Sequence, residues 1–308
     1  DLVASVSLKA FQKDTLHAIV RRFGFKEQSG LELKKFSLQM IANDKLLSIN
    51  DFNLELPNTT LTLDDASVSY DSLMSLFSLT EDVKFQGKLN GKIYPNDFSP
   101  IMEMLEYVDE PMDLSLDFEG NGKHLEIPSV RLFNRKYIRM SGNAEIYASD
   151  DVQQGLSANA TLSRFFIPEE GVAYLTSSMN GHLPPVIGTL GFIDFQGNVR
   201  TNDNKVKVDG MALTGAGKLL ADMTMDTDKS GNHFYSGKLV GTDLNLGTLM
   251  SDKKKFGLAD FNVELEGLNY QGNYPEAYIK AIVPSLEYSG YRYENMTLDG
   301  VYKNGGFN

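Results

Sequence analysis

Leu114-Ser-Leu-Asp-Phe-Glu-Gly-Asn121 alternates apolar and polar side chains and closes on Gly-Asn, the two-residue period of a strand with one wet face. The signature returns as Ile193-Asp-Phe-Gln-Gly-Asn198 and Phe261-Asn-Val-Glu-Leu-Glu-Gly267, with a weaker copy at Phe36-Ser-Leu-Gln-Met-Ile-Ala42. Taking Ala42, Gly120, Gly197 and Gly267 as equivalent, the copies lie 78, 77 and 70 residues apart. That regularity divides the chain into four related units, 1–79, 80–157, 158–235 and 236–308, expected to share one continuous sheet.

Reading back from each anchor by two, four and six residues gives Met40, Leu38, Phe36; Phe118, Leu116, Leu114; Phe195, Ile193, Gly191; and Leu265, Val263, Phe261. Eleven of these twelve are apolar, against about five expected in a chain that is 42% apolar. Ten of the twelve interleaved residues, Asp117, Asp194 and Glu264 among them, are polar. One apolar face and one wet face follow, and the candidate functional residues are the eleven apolar ones. A one-residue slip would exchange the two faces throughout.

Further alternating stretches predict strands over 47–56, 60–70, 85–93, 125–132, 137–146, 205–213, 219–225, 235–239, 278–284 and 296–302. Short helices are expected where a cap precedes apolar residues at helical spacing. Residues 14–23 place Leu16, Ile19, Val20 and Phe23 on one helical face, and 99–107 opens with Ser-Pro. Shorter versions are expected over 168–176 and 247–252. The fold class is therefore all-β with short helices, an antiparallel sheet of repeated units.

A net charge of −12 repels phosphate backbones and excludes nucleic-acid binding as a leading idea. With no Cys, disulfides, thiolate metal sites and cysteine nucleophiles are excluded. No run reaches the ~18 apolar residues that span a bilayer. The nearest, 171–195, is broken by Asn180, His182, Pro184, Pro185 and Asp194. A chain that opens at Asp1 without a signal segment, and ends in what reads as mid-hairpin at Lys303-Asn-Gly-Gly-Phe-Asn308, is expected to be a processed chain or a section of a longer one.

The chemical motifs are near misses. His17, His124, His182 and His233 are scattered without metal-ligand spacing. Gly215-Ala-Gly-Lys218 lacks the first glycine and the hydroxyl of a phosphate loop and reads as a hairpin turn. Asp226, Asp228 and Ser230 match the opening of a calcium loop, but Gly237 stands where its bidentate Glu belongs, so a polar turn is expected. The adjacent pairs Asp64-Asp65 and Asp150-Asp151 point to opposite faces of a strand or sit in turns, which does not pair a general acid with a base. No cofactor is expected.

Leu8-Lys-Ala-Phe-Gln-Lys-Asp-Thr-Leu16, Arg22-Phe-Gly-Phe-Lys-Glu-Gln-Ser-Gly-Leu-Glu-Leu33, and strands ending Leu-x-Gly at Leu89-Asn-Gly91 and Leu298-Asp-Gly300 resemble AsmA/TamB-type envelope proteins of diderm bacteria. The resemblance covers most of the chain and rests on diffuse repeats. It implies an elongated, taco-like β-groove in the periplasm, anchored in the inner membrane by a helix outside this chain. It further implies phospholipid acyl chains as ligand, a non-enzymatic role in phospholipid transport or outer-membrane protein assembly, and an outer-membrane β-barrel assembly partner. Three alternatives stay open at this stage. The apolar face is the core of an ordinary sandwich; the chain is a secreted or surface β-rich adhesin or glycan-binding module, for which the cluster Tyr288, Tyr291 and Tyr293 speaks; or it is a hydrolase built on a sandwich.

Overall fold

The computed structural model describes residues 2–12, 15–28, 30–72, 75, 81–148, 156–179, 185–202, 204–230, 232–269, 276–303 and 306–308. Among them the chain is all-β, antiparallel, with a few short helices. It forms two compact units, residues 1–150 with 177–182, and residues 151–176 with 183–308.

The first unit is a meander of nine strands: β1 (Leu2–Gln12), β2 (Thr15–Lys26), β3 (Glu32–Ala42), β4 (Leu46–Glu55), β5 (Thr60–Ser69), β6 (Lys84–Ile93), β7 (Met112–Asn121), β8 (His124–Asn134) and β9 (Ile138–Ala148). Each pairs antiparallel with the next. The second unit repeats the plan with β10 (Leu156–Ile167), β11 (Ile193–Asn202), β12 (Lys205–Thr214), β13 (Gly217–Thr227), β14 (His233–Asn245), β15 (Phe256–Asn269), β16 (Glu276–Tyr288), β17 (Tyr291–Lys303) and β18 (Gly306–Phe307). Among the described residues no ladder joins β1 to β9 or β10 to β18, so the strands of neither unit close into a barrel within that unit. Register shifts, as between Asp64 and Ser67 or between Gly241 and Leu244, bend and twist the strands and curl each sheet. The four repeat anchors fall on β3, β7, β11 and β15, four strands apart in each case.

Two expectations need correction. Residues 14–23 do not form a helix: residues 15–26 are strand β2. Thr15, Ile19 and Val20 are β-branched and Phe23 and Phe25 aromatic, and a helix of some nine residues is marginal alone. As a strand the segment gains ladders on both sides and sets Leu16, Ala18 and Val20 opposite Ala42, Met40 and Leu38. Residues 99–107 likewise hold no α-helix, only a single 3-10 turn at Glu103–Leu105, following another at Pro95–Phe98. Ser99 closes the Pro95–Phe98 turn instead of opening a helix: it is the C-cap, and its N–H donates to Asn96 O. The Asn96 N–H meanwhile donates to Val108 O and ties the segment into a loop. The two shorter helices are present as α1 (Glu169–Ser178) and α2 (Leu246–Leu249), the second capped by Asn245, whose side-chain oxygen accepts the Thr248 N–H at 2.9 Å.

Only eighteen apolar residues are buried among the described ones, in a chain that is 42% apolar. Seven of them are alanines, side chains short enough to lie down between their neighbours. In a two-layer sandwich the large inward side chains of central strands would be buried by the facing sheet. Here Leu114, Leu116, Phe118, Phe195, Phe261 and Val263 are half-buried.

One well-packed part of the first unit is the end of its sheet where β5 begins and β6 ends. The loop after β6 folds over it with Val108 and Met112 buried, and Thr59 beside it is fully buried. Asp97 organises this end: one carboxylate oxygen accepts the N–H groups of Asn58 (2.9 Å) and Thr59 (2.6 Å), and the other accepts Asn58 Nδ2 (2.9 Å). The Thr59 hydroxyl oxygen accepts the Tyr94 N–H at 2.9 Å.

Candidate functional site

Strand registry decides which side chains share a face, since residues directly opposite one another project to the same side. In the first unit one row runs Phe23, Phe36, Leu54, Leu61, Gly91, Leu114, Leu132, Met140 from β2 to β9. Beside it run Leu63, Leu89, Leu116, Val130, and on the neighbouring strands Ala18, Met40, Ile49, Ala66. Phe36, Met40, Leu114 and Leu116 therefore stand in apolar rows of one face, and Leu38, opposite Val20, is the one of the eleven candidate residues that is buried.

The second unit carries the same construction. One row is Phe165, Phe195, Ala212, Leu219, Gly241, Phe261; the next is Gly197, Gly210, Ala221, Leu239, Val263, Ala281, Leu298. A third is Val199, Val208, Met223, Gly237, Leu265, Ile279, Gly300. Ile193 lies at the margin, between Ile167 and Thr214. The residues of each unit that the sequence singled out thus share an apolar face within that unit.

The opposite face is a lattice of alternating charge. Lys88 lies between Asp64 and Asp117; Asp222, Lys238, Glu264, Lys280 and Asp299 form one cross-strand row. Ion pairs such as Lys88–Asp65 (3.0 Å) and Lys207–Asp222 (2.9 Å) are solvent-exposed and add little to stability. Their role is registry: in this register opposite charges face one another across the strands, and a two-residue slip would leave Lys238 opposite Leu220 or Thr224 instead of Asp222.

The registry also explains the recurring Phe and Gly, a relationship that sequence reading treated only as an anchor. Phe118 is the cross-strand partner of Gly87, and Phe261 of Gly241. In each case the ring lies over the bare glycine, so closely that a Cβ on Gly87 would come within 2.8 Å of the Phe118 ring and one on Gly241 within 2.5 Å of Phe261. Phe195 covers Gly197 of its own strand and Gly210 of the next, with 2.8 Å to a Cβ at either. The rings lie against the sheet instead of standing up from it.

The weaker motifs resolve into turns and surface contacts. Gly215-Ala216 is the two-residue turn between β12 and β13, and the Thr214 hydroxyl donates to Gly217 O at 2.9 Å. In the sequence that resembles a calcium loop, one Asp228 oxygen accepts the N–H groups of Ser230 (2.8 Å) and Asn232 (2.9 Å), making a polar turn. His124 stacks on Tyr147 at 4.5 Å, and Nδ1 of His233 lies 2.9 Å from the Thr227 hydroxyl. His182, Asp150 and Asp151 lie outside the described residues. Tyr288 and Tyr291 flank the β16–β17 turn as partners, Tyr291 being 71% exposed. Asp260 has a carboxyl held below its ordinary value, chiefly by the Asp243 N–H (2.9 Å), then by the Ser285 hydroxyl (2.9 Å).

No protein-family model, curated protein or solved structure matches this chain. No helix among the described residues is long and apolar enough to cross a membrane.

Proposed function

We propose that the protein is a non-enzymatic scaffold or conduit whose apolar face takes up phospholipid acyl chains, as part of an AsmA/TamB-like periplasmic system for phospholipid transport or outer-membrane protein assembly. The observation that carries the reading is the half-buried state of the apolar rows: ordered ranks of Leu, Phe, Val and Met with no second layer of the same unit packed over them. Such a face is unfavourable in water, and acyl chains cover it without needing polar partners. The resemblance in sequence supplies the compartment and the inner-membrane anchor, and an outer-membrane barrel as partner.

The test replaces Leu116 and Ile193 with Asp, together, in the 308-residue chain. On an uncovered face both carboxylates reach solvent, so β-structure by circular dichroism is retained while crosslinking to a phospholipid with a photoreactive acyl chain falls. Wild-type crosslinking by the folded variant overturns the reading. Global unfolding assigns the face to a closed core, where two unpaired charges cost several kcal/mol.

The second reading, a glycan-binding module, is favoured by the exposed Tyr291 with Tyr288 and Tyr293 on the same hairpin, a platform on which sugar rings stack. Retention on a glycan array that Tyr291→Ala abolishes would establish it.

A further inference from the structure

A cavity of about 910 Å³ opens in the second unit beside the β12–β13 turn. Phe192, in its lining, adjoins Ile193, so the cavity begins where the apolar face reaches its margin. Its chemistry differs from that face. The connection from α2 to β15 contributes Ser251, Lys253 and Lys254, α2 contributes Thr248, and Thr189 faces them. Lys253 and Lys254 begin the run Lys253-Lys-Lys255 in a chain of net charge −12.

The third lysine is neutralised. Lys255 Nζ lies 3.6 Å from Asp252, and its N–H donates to the same carboxylate at 3.2 Å. Lys253 and Lys254 have no carboxylate within 4.0 Å among the described residues. In the lining Lys253 and Lys254 stand against Glu169 and Asp252, and Lys255, from outside the lining, engages Asp252. Ammonium and hydroxyl groups, as on Lys253, Lys254, Thr248 and Ser251, are the usual donors to a phosphodiester.

We propose that this cavity binds the phosphate ester of a phospholipid headgroup, with Lys253 and Lys254 as its cationic partners. The assignment rests on the acyl-chain reading, because the apolar rows beside the cavity hold the chains. A lipid lying on those rows has to place its phosphate near water and away from the carboxylates of the outer face. The cavity supplies that place, and a chain entering at the Ile193 margin needs to cross no charged row.

The experiment compares three ligands on the wild-type chain, on K253E/K254E and on the charge-retaining K253R/K254R, with circular dichroism as the folding control. The ligands are phosphatidylglycerol and diacylglycerol with the same photoreactive acyl chain, and inorganic phosphate followed by phosphorus NMR line broadening. The expected result is a loss of about tenfold or more in phosphatidylglycerol capture by K253E/K254E, the size of one charge-assisted hydrogen bond. Diacylglycerol capture is unchanged in that variant, and K253R/K254R behaves as wild type. Equal phosphatidylglycerol capture by wild type and K253E/K254E overturns the headgroup assignment and leaves the acyl-chain reading standing. An equal loss for both lipids also overturns it, since the lysines then do not distinguish a headgroup. If wild type captures neither lipid but broadens the phosphate line in a lysine-dependent way, the acyl-chain reading falls and the headgroup assignment with it, in favour of a soluble-phosphate site.

Discussion

Replacing Gly241 with Ala tests whether the Phe rings are seated in glycine niches or merely lie near them. Gly241 is buried in β14 and its backbone is not in the left-handed region, so alanine is conformationally allowed there. Relieving a strand of glycine ordinarily stabilises by about 0.5–1 kcal/mol. The added Cβ, however, would lie 2.5, 2.6 and 3.0 Å from three carbons of the Phe261 ring, all below contact distance. The ring then has to swing away from the sheet, and overpacking of this kind costs about 1–3 kcal/mol. The net expectation is a destabilisation of about 0.5–2 kcal/mol, opposite in sign to the generic effect of the substitution. The assay is urea denaturation followed by far-ultraviolet circular dichroism, with hydrogen exchange on peptides from β14 and β15 to localise the change. A double-mutant cycle with Phe261→Leu supplies the coupling: if the clash is the cause, the smaller side chain recovers most of the loss. A neutral or stabilising Gly241→Ala, or a cycle without coupling, refutes the niche.

Asp97→Ala removes the acceptor for the N–H groups of Asn58 and Thr59, the latter in a fully buried residue; a loss of about 2 kcal/mol is expected, read as lost exchange protection over residues 56–60 and 94–98. Asp260 has its carboxyl depressed in the folded state, so its contribution is fully present above the ordinary value of 3.8 and disappears as pH falls through the lower folded value. Asp260→Asn is therefore expected to flatten the acid limb of a pH–stability curve while leaving its neutral part nearly parallel to wild type; an unchanged acid limb refutes the assignment.

Strands were legible in the sequence where alternation was strict and bounded by Gly, Asn or Asp, as in Leu114 to Phe118 or Phe261 to Leu265, because one face was dry and the other wet. The helix expected at 14–23 failed because Leu16, Val20 and Phe23 fit helical spacing while Leu16, Ala18 and Val20 fit strand spacing equally well. Pairing with β1 and β3, which no local pattern contains, decided between them. The Asp97 network was illegible for a related reason: its partners Asn58 and Thr59 are almost forty residues away, and the loop over residues 95–108 has no period. The Phe–Gly contacts were half legible. Each Phe was visible in the repeat, but its glycine partner, such as Gly87 for Phe118, appears only once strand register is known. The lysine run at 253–255 was plain in the sequence and acquires meaning only from the neutralisation of Lys255 by Asp252.

The extent of the apolar face bears on why it has to be covered. In the second unit the row from Gly197 to Leu298 crosses seven strands, about 29 Å at ~4.8 Å per strand. Three such rows, two residues apart along each strand, span about 14 Å, which gives some 400 Å² of projected apolar surface. That equals the largest patches that soluble monomers leave open, which are often functional. Glycines and alanines recur along it, at Gly197, Gly210, Gly237, Gly241, Ala221 and Ala281, so the face alternates low floors with the rims formed by Leu219, Leu239, Val263 and Leu265. An interdigitating protein core is filled by large residues from both layers and leaves few low floors. A surface that is low along part of its rows and walled by branched side chains instead suits a slender, conformationally adaptable apolar ligand, and the Phe rings, folded down onto their glycines, keep those floors dry without raising them.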